Sequence, residues 1–538
     1  MADTVREIER KYEAGGRTAA ARLPDLSRAA GVAAVAEKGT AELDAVYYDT
    51  ADRRLAAAGI TLRRRTGGTD AGWHLKLPAA PQGARDEIRA PLSASVPRAL
   101  ADLVRCRVRH AELAPLVRIV TRREARHLLD ADGALLAEVS ADTVTADRLG
   151  RGGRSAHWRE YEVELGPGAE PAFLDTLEPR LREAGLRRSA APSKLARALA
   201  ETEPETEPET EPGTKPAADA GTGEPRKSRR RPAKKRGTAE APAPVTAGEH
   251  VLAYVRAQAE ALLALDPAVR RDLPDSVHQM RVATRRLRSA FRTYRGVLDP
   301  AVTGPVGAEL RWLAAELGVD RDREVLAERL RERLAELDRA LVLGPVRARL
   351  RRWAAARGKG SRKRLAALLD GERYLALLDT LDALLADPPL LPAAARPAPA
   401  VLAKAVVRDY GRLATRVERA LATEPGPARD TVLHDARKAA KRARYAAEAA
   451  TPALGRPAAR LSGRMKAVQT LLGDHQDSVM ARGALRSLAA EAHAAGESTF
   501  TLGLLYGREE QRADRDEREL PKVWAKASGT RWKAKLGA

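Results

Sequence analysis

At 538 residues the chain is too long for a single hydrophobic core and long enough to fold as two or more domains without covalent staples. Its one cysteine, Cys106, excludes a disulfide framework and a thiolate metal cluster, and fits a reducing compartment. A formal net charge of +22, from 95 Lys and Arg against 73 Asp and Glu, points to a polyanionic partner, while an aromatic content of 4% argues against base stacking as the means of holding it. No apolar run approaches a membrane span, and acidic residues as early as Asp3, Glu7 and Glu9 fit no signal peptide, so a cytoplasmic protein that engages no membrane is expected. From residue 247 onward there are 53 basic and 36 acidic residues, which places most of the positive surplus in the C-terminal part.

The first informative element is Glu7-Ile8-Glu9-Arg10-Lys11. In an extended strand Glu7, Glu9 and Lys11 share one face, where two carboxylates can hold a hard cation and an ammonium can hold a phosphoryl oxygen. Short alternating runs follow at 46–50, 60–65, 73–77, 119–129, 135–140 and 158–165, separated by turn signals such as Thr66-Gly67-Gly68 and Asp130-Ala131-Asp132-Gly133. Their alternate positions are charged: Arg63 and Arg65, Lys76, and Glu160, Glu162 and Glu164. If Leu62, Leu75, Leu77, Tyr161, Val163 and Leu165 face an outer apolar layer, the charged positions face a common interior, which requires acids, bases and bound ions to neutralise one another. An α+β domain on a closed or nearly closed antiparallel sheet, with a charged lumen suited to a phosphate chain and a metal, is expected over residues 1–200.

The Glu-x-Glu-x-Lys start, Leu62-Arg63-Arg64-Arg65, Trp73-x-Leu75-Lys76, Thr121-Arg122-Arg123, Glu138 with Asp142, Glu162-x-Glu164 and Ser193-Lys194 occur in the order seen in the CYTH family, the triphosphate tunnel metalloenzymes, and residues 1–200 resemble that family. The resemblance implies an eight-stranded antiparallel tunnel that acts on triphosphate chains with Mg²⁺ or Mn²⁺. It makes Glu7, Glu9, Asp142, Glu162 and Glu164 metal-facing carboxylates and Lys11, Arg63, Arg65, Lys76, Arg123 and Lys194 phosphate contacts, with Glu7, Glu9 and Lys11 central to catalysis. Glu87 and the choice of Arg123 over Arg122 or Arg126 match less closely.

Residues 201–246 begin with repeated Glu-Thr-Glu-Pro and end in the basic block Arg226 to Arg236, and read as a disordered charged linker. The periodicity then becomes helical, with breaks expected at Pro267, Pro300, Pro388-Pro389, Pro425 to Pro427 and Pro452, giving an all-α bundle over 247–515 and a basic tail over 516–538. Within it, His278-Gln279-Met280-Arg281-Val282-Ala283-Thr284-Arg285-Arg286-Leu287-Arg288 is echoed by His434-Asp435-Ala436-Arg437-Lys438-Ala439-Ala440-Lys441-Arg442-Ala443-Arg444. Positions 0, +3, +7 and +10 fall within an arc of roughly 80° on a helix, so each copy presents a basic stripe while Met280, Ala283 and Leu287 turn to the core. Each copy is followed by a second shared element, Leu317-Gly318 with Asp322 and Leu472-Gly473 with Asp477, whose acids suit helix capping or chemistry equally. A duplicated helical unit with two stripes on a shared groove is the simplest reading.

This part, from about Glu249 to Arg512, resembles the CHAD domain, a duplicated helical domain found in polyphosphate-binding proteins and often fused to CYTH. The resemblance implies a polyanion site made by His278, Arg281, Arg285, Arg286 and Arg288 with His434, Arg437, Lys438, Lys441, Arg442 and Arg444. The leading expectation is a metal-dependent hydrolase of inorganic triphosphate or a related triphosphate, joined to a polyphosphate-binding bundle that raises local substrate concentration or places the enzyme on polyphosphate granules. The alternatives are a non-catalytic polyphosphate-binding protein and, from net charge alone, a nucleic-acid binder. Adenylate cyclase chemistry stays open, although no residue set reads adenine.

Overall fold

A computed structural model describes residues 3–14, 23–79, 83–150, 153–203, 244–319, 321–355, 360–529 and 532, and the chain divides into two compact units, Met1–Arg236 and Gly237–Ala538. The charged segment expected as a linker lies almost wholly outside the described residues; at its ends Glu201 closes one helix and Thr246 caps the next.

In the first unit eight strands form a closed antiparallel barrel in the order β1-β5-β4-β3-β2-β6-β7-β8 and back to β1. They are β1 (Asp3–Ala14), β2 (Ala34–Asp49), β3 (Thr61–Thr66), β4 (Gly72–Ala79), β5 (Ala84–Ala90), β6 (Ala114–Leu129), β7 (Leu135–Arg148) and β8 (Ser155–Leu165). Closure falls to β1, whose Asp3–Ile8 half pairs with β5 and whose Glu9–Tyr12 half pairs with β8; a short β9 (Leu186–Arg188) adds to its end. The strands are longer than the alternating runs suggested, and β5 was not anticipated, because Arg85-Asp86-Glu87-Ile88-Arg89 holds a single large apolar residue.

The barrel is apolar on its outside. Leu62, Leu75, Leu77 and Ile88 are buried beneath α2 (Arg98–Val108), which follows the single-turn α1 (Arg54–Ala57). Val139, Tyr161 and Val163 are buried beneath α3 (Phe173–Glu183). Of the six outward residues expected, only Leu165 is incompletely covered; it ends its strand and also borders the lumen.

The lumen itself changes character along its length. Ser193 caps α4 (Lys194–Glu201), accepting from the Ala196 N–H at 3.0 Å. Leu195, Ala198 and Leu199 of this helix pack with Tyr47, Val117, Ile119, Val144, Ala146 and Trp158, which by strand alternation share the inward face with Arg123, Asp142 and Glu160. One end of the barrel is therefore filled by an apolar plug, and the charged cavity lies on its far side.

The second unit is helical: α5 (Ala247–Arg270), α6 (Ser276–Thr293), α7 (Pro300–Glu316), α8 (Arg321–Ala335), α9 (Val346–Ala355), α10 (Ser361–Asp370), α11 (Glu372–Ala386), α12 (Ala398–Ala422), α13 (Pro427–Leu454), α14 (Arg456–Ala494) and α15 (Phe500–Ser528). A Thr246–Glu249 capping box starts α5. The repeat lies on α6 and α13, where Met280, Ala283 and Leu287 and their counterparts Ala436, Ala439 and Ala443 are all buried, as the periodicity required.

Two expectations are corrected. Pro267 and Pro452 sit inside the last turns of α5 and α13, where the carbonyls still receive bonds from later N–H groups, Arg271 N to Pro267 O at 3.1 Å and Gly455 N to Thr451 O at 2.8 Å. The expected tail from 516 is instead largely helix α15: Leu520, Trp524 and Ala527 are buried, and Tyr410 stacks on Trp524 and meets Trp532 edge-on. Among the described residues no helix is long and apolar enough to cross a membrane.

Candidate active site and polyanion groove

The barrel encloses a cavity of about 980 Å³ lined by Glu7, Glu9, Lys11, Arg63, Arg65, Lys76, Glu87, Arg123, Glu162, Glu164 and Lys194 among others. The pairing register explains the convergence. Opposite β1, Glu9 faces Glu164 and Lys11 faces Glu162; Lys76 faces Glu87, Arg123 faces Asp142, and Asp142 faces Glu160. Alternation then turns all of them into one lumen.

Deepest, next to the plug, Lys194 Nζ lies 2.9, 2.8 and 2.7 Å from carboxylate oxygens of Asp142, Glu160 and Glu162. These three acids have the spacing of a cation site, and the cation present is an ammonium. Arg123 adds two bonds to Asp142, at 2.9 and 2.7 Å, and one to Glu162 at 2.5 Å. Burial pushes the Asp142 acid up, but Lys194 and then Arg123 outweigh it and hold it below the usual range; Lys11, Lys194 and Arg123 do the same for Glu162. Asp142 and Lys194, expected to face a metal and a phosphate, thus neutralise each other. Glu160, singled out for its alternation but given no role, completes this cluster and accepts from Trp158 Nε1 at 2.6 Å.

Toward the opening the lumen carries two opposite imbalances. On the β1/β8 side, Lys11 pairs with Glu162 and lies 3.2 Å from Glu9, and Lys76 Nζ lies 2.5 Å from Glu7. The lysines Lys11 and Lys76 overcome burial and hold Glu9 down at about 2. Glu164 has no ion pair among the described residues, and burial followed by the charge of Glu7 pushes its acid up to about 7. Burial also raises Glu7. Glu7, Glu9 and Glu164 therefore hold more negative charge than their lysines cancel, and this donor set of carboxylate oxygens fits a hard divalent cation.

On the β3/β6 side the excess is positive. Arg65 is held down to about 9 by burial and by neighbouring Arg63, with Arg123 adding to the effect, and the buried Nε atoms of Arg63 and Arg65 have no hydrogen-bond partner. Among the described residues Arg65 pairs only with Asp70. Two groups that sequence reasoning left without a role complete this side: Tyr47, whose hydroxyl receives Arg63 at 3.3 Å, and His74, which bridges Glu87 at 3.0 Å and the Asp70 carbonyl at 2.9 Å. Burial holds the His74 imidazolium down at about 4, so it is neutral near pH 7. Glu87, also near Lys76 at 3.8 Å, Arg63 at 3.6 Å and Arg89 at 2.5 Å, is the hub that orients these cations.

In the helical unit the two stripes meet. Arg286 of α6 pairs with Glu448 of α13, so the two helices pack together, and burial, then Arg437 and Arg285, push the Lys441 ammonium down to about 8. The second shared element explains itself here. Arg281 donates to Asp322 at 2.7 and 3.2 Å, and Arg437 lies 3.8 Å from Asp477. Gly318 and Gly473 sit under those same guanidiniums, where a Cβ would come within 2.8 Å of Arg281 Nη2 and 3.5 Å of Arg437 Nη2. The acids orient the stripe and the glycines make room for it.

Other expected contacts are turned elsewhere. Arg286 pairs with Glu448, Arg442 lies 3.5 Å from Asp409, Arg444 donates to Gln469 at 3.1 Å, and exposed Lys438 pairs with Asp435 at 3.1 Å. Burial and Lys438 keep His434 below the usual imidazole range, so it offers hydrogen bonds rather than charge near pH 7. The remaining stripe cations, Arg281, Arg285, Arg288, Arg437 and Lys441, are all half-buried.

Comparison with known proteins agrees with both halves. Residues 5–199 match the CYTH domain and residues 253–486 the CHAD domain. An uncharacterized protein of Mycobacterium tuberculosis is 39% identical over 530 residues, covering 96% of this chain and 94% of its own length. Among solved structures, PptA from Streptomyces chartreusis (22% identity, TM-score 0.45) covers 52% of this chain and 99% of its own. The CHAD domain of the plant Ricinus communis (26% identity, TM-score 0.41) covers 57% and 97%. HpAC1 from Hippeastrum, with a dominant triphosphatase activity, is 19% identical at a TM-score of 0.25 over 37% and 98%. The chain belongs to the proteins that join an N-terminal CYTH triphosphate tunnel domain to a C-terminal CHAD domain.

Proposed function

We propose that the barrel is a metal-dependent triphosphatase acting on inorganic triphosphate or a related triphosphate, and that the helical unit binds polyphosphate. The observation that carries the first part is the paired imbalance in one lumen: surplus carboxylate at Glu7, Glu9 and Glu164 opposite surplus guanidinium at Arg63 and Arg65. A phosphate chain accompanied by a divalent cation cancels both at once. Mg²⁺ or Mn²⁺ held by Glu7, Glu9 and Glu164, with Glu162 alongside, would supply Lewis-acid polarisation of a phosphoryl oxygen and of water.

The protein's own groups do the rest. Arg63, Arg65 and Lys76 hold the chain against the β3/β4 wall, and Glu87 and Tyr47 keep those cations aimed into the lumen. Lys11, fixed between Glu9 and Glu162, presents its ammonium to the phosphoryl group on which negative charge gathers during displacement. The Lys194 and Arg123 cluster sets the depth to which the chain can descend. In the helical unit, Arg281, Arg285, Arg288, Arg437 and Lys441 offer a row of charge-assisted donors to a linear polyanion.

The test is phosphate release by the full-length protein from inorganic triphosphate, ATP and long-chain polyphosphate with Mg²⁺, Mn²⁺ or EDTA. Release that EDTA abolishes, and that Glu9→Ala lowers by about 10²–10³-fold with polyphosphate binding retained, is the expected result. Absence of release from every substrate would reduce the barrel to a non-catalytic binding module.

A further inference from the structure

Past Arg288 the two halves of the helical repeat stop matching. The next basic positions in this register are Arg292, in the last turn of α6, and Arg295, just past its end, whereas their counterparts on α13 are Glu448 and Thr451. The packing follows this difference. Glu448 is ion-paired to Arg286 and lies 3.9 Å from Arg444 Nε, so an acid closes that end of the α13 stripe.

At the α6 end, Arg288, Arg292 and Arg295 line a separate cavity of about 410 Å³, joined by Arg311 from α7 and Arg412 and Arg416 from α12. Gly304 and Gly307 keep part of the α7 wall free of side chains. Nearby negative charge comes from buried Asp409, which lies 2.7 Å from Arg412 and 3.5 Å from Arg442 and accepts from Thr293 Oγ1 at 2.5 Å. Among the described residues, Arg288, Arg292, Arg295 and Arg311 have no carboxylate partner, and the buried Arg288 Nε has no hydrogen-bond acceptor. Burial, then Arg292 and Arg311, hold the Arg288 guanidinium below its ordinary range.

Unpaired guanidiniums around a small concavity repel one another, and a compact, multiply charged anion relieves them best. In a linear polyphosphate the terminal group has that character: it carries up to two charges on three free oxygens, against one charge on two for an internal unit. Arg288 belongs both to the stripe and to this pocket, so one chain can occupy both.

We propose that the α6–α7–α12 arginine pocket holds the terminal phosphoryl group of a linear polyphosphate whose following units lie along Arg281, Arg285 and Lys441, so that the helical domain binds chains by one end. This rests on the polyphosphate reading of the stripes. The experiment compares binding of the full-length protein to linear polyphosphate and to the same polymer with both termini blocked as phosphoramidates. The wild-type protein should prefer free-ended chains by about tenfold. Arg292→Glu with Arg311→Glu should bind both polymers equally, at wild-type strength for blocked chains, whereas Arg281→Glu with Arg285→Glu should lose both.

Equal wild-type affinity for free and blocked chains would overturn end-binding while leaving the stripes intact; this comparison needs no variant. Loss of blocked chains by the Arg292/Arg311 variant as severe as its loss of free ones would overturn it too. So would removal of the preference by micromolar orthophosphate, which would give the pocket to the free ion. Failure of the wild-type protein to bind any polyphosphate would instead sink the stripe reading, and this one with it.

Discussion

Lys194 shows why residue type and motif position do not settle a role. As the second residue of Ser193-Lys194 it was expected to touch phosphate, yet its ammonium is fixed by three buried carboxylates. Replacing it with Met should therefore act first on stability. Leaving Asp142, Glu160 and Glu162 without their shared cation is expected to cost about 3–5 kcal/mol in the barrel's unfolding transition, with Lys194→Arg much milder. Chemical denaturation of the two variants checks this, and a Lys194→Met barrel as stable as wild type would contradict it. Lys441 supports a prediction of another kind. Its ammonium titrates near 8 in the free protein, and a bound polyanion favours the charged form, so binding takes up a proton above that pH. Above pH 8 polyphosphate affinity should fall by at most about tenfold per unit, a single-proton limit. Calorimetric titration across this range should show the dependence in wild type and not in Lys441→Met.

At the scale of elements, the glycines beneath the two stripe arginines are not equivalent. A Cβ at Gly318 would come within 2.8 Å of Arg281 Nη2 and 3.2 Å of the Ala314 carbonyl, so Gly318→Ala should displace Arg281 from Asp322, costing about 1 kcal/mol and weakening polyphosphate binding severalfold. At Gly473, in the interior of α14, the same methyl makes ordinary contact with Arg437, so Gly473→Ala should bind normally and gain about 1 kcal/mol of helix stability. Thermal melts and binding isotherms of the two variants test the contrast. Which elements could be read from the sequence follows similar reasoning. The stripes were legible because a period of 3.6 exposes charge on one helix face, but they were read only as far as the duplication ran, and Arg292 and Arg295 lie beyond it. The lumen was legible from alternation, which gives the face of a strand but not the depth along it, so Glu160, Glu162 and Glu164 looked equivalent. In the structure the first two hold Lys194 and the third has no ion-pair partner among the described residues. Strand β5, with its charged sequence, and α4, only eight residues long, gave too weak a periodicity to place.

For the whole molecule, the charge surplus was the most legible property and the least specific. A net +22 admits nucleic acid as readily as polyphosphate, and the narrower reading comes from where unpaired charge is placed, with Arg63 and Arg65 in the barrel cavity and Arg288, Arg292, Arg295 and Arg311 around a second one. The apolar plug made by Leu195, Ala198 and Leu199 has a further consequence. A barrel stoppered at its base admits a thread by its tip and refuses a loop. A ring of phosphates has no tip, so cyclic trimetaphosphate should be neither hydrolysed nor an effective inhibitor at concentrations that saturate the linear compound, although the two carry the same number of phosphorus atoms; ready cleavage of the ring would mean that the base of the barrel opens. What enters this barrel would then be decided by whether the chain has an end.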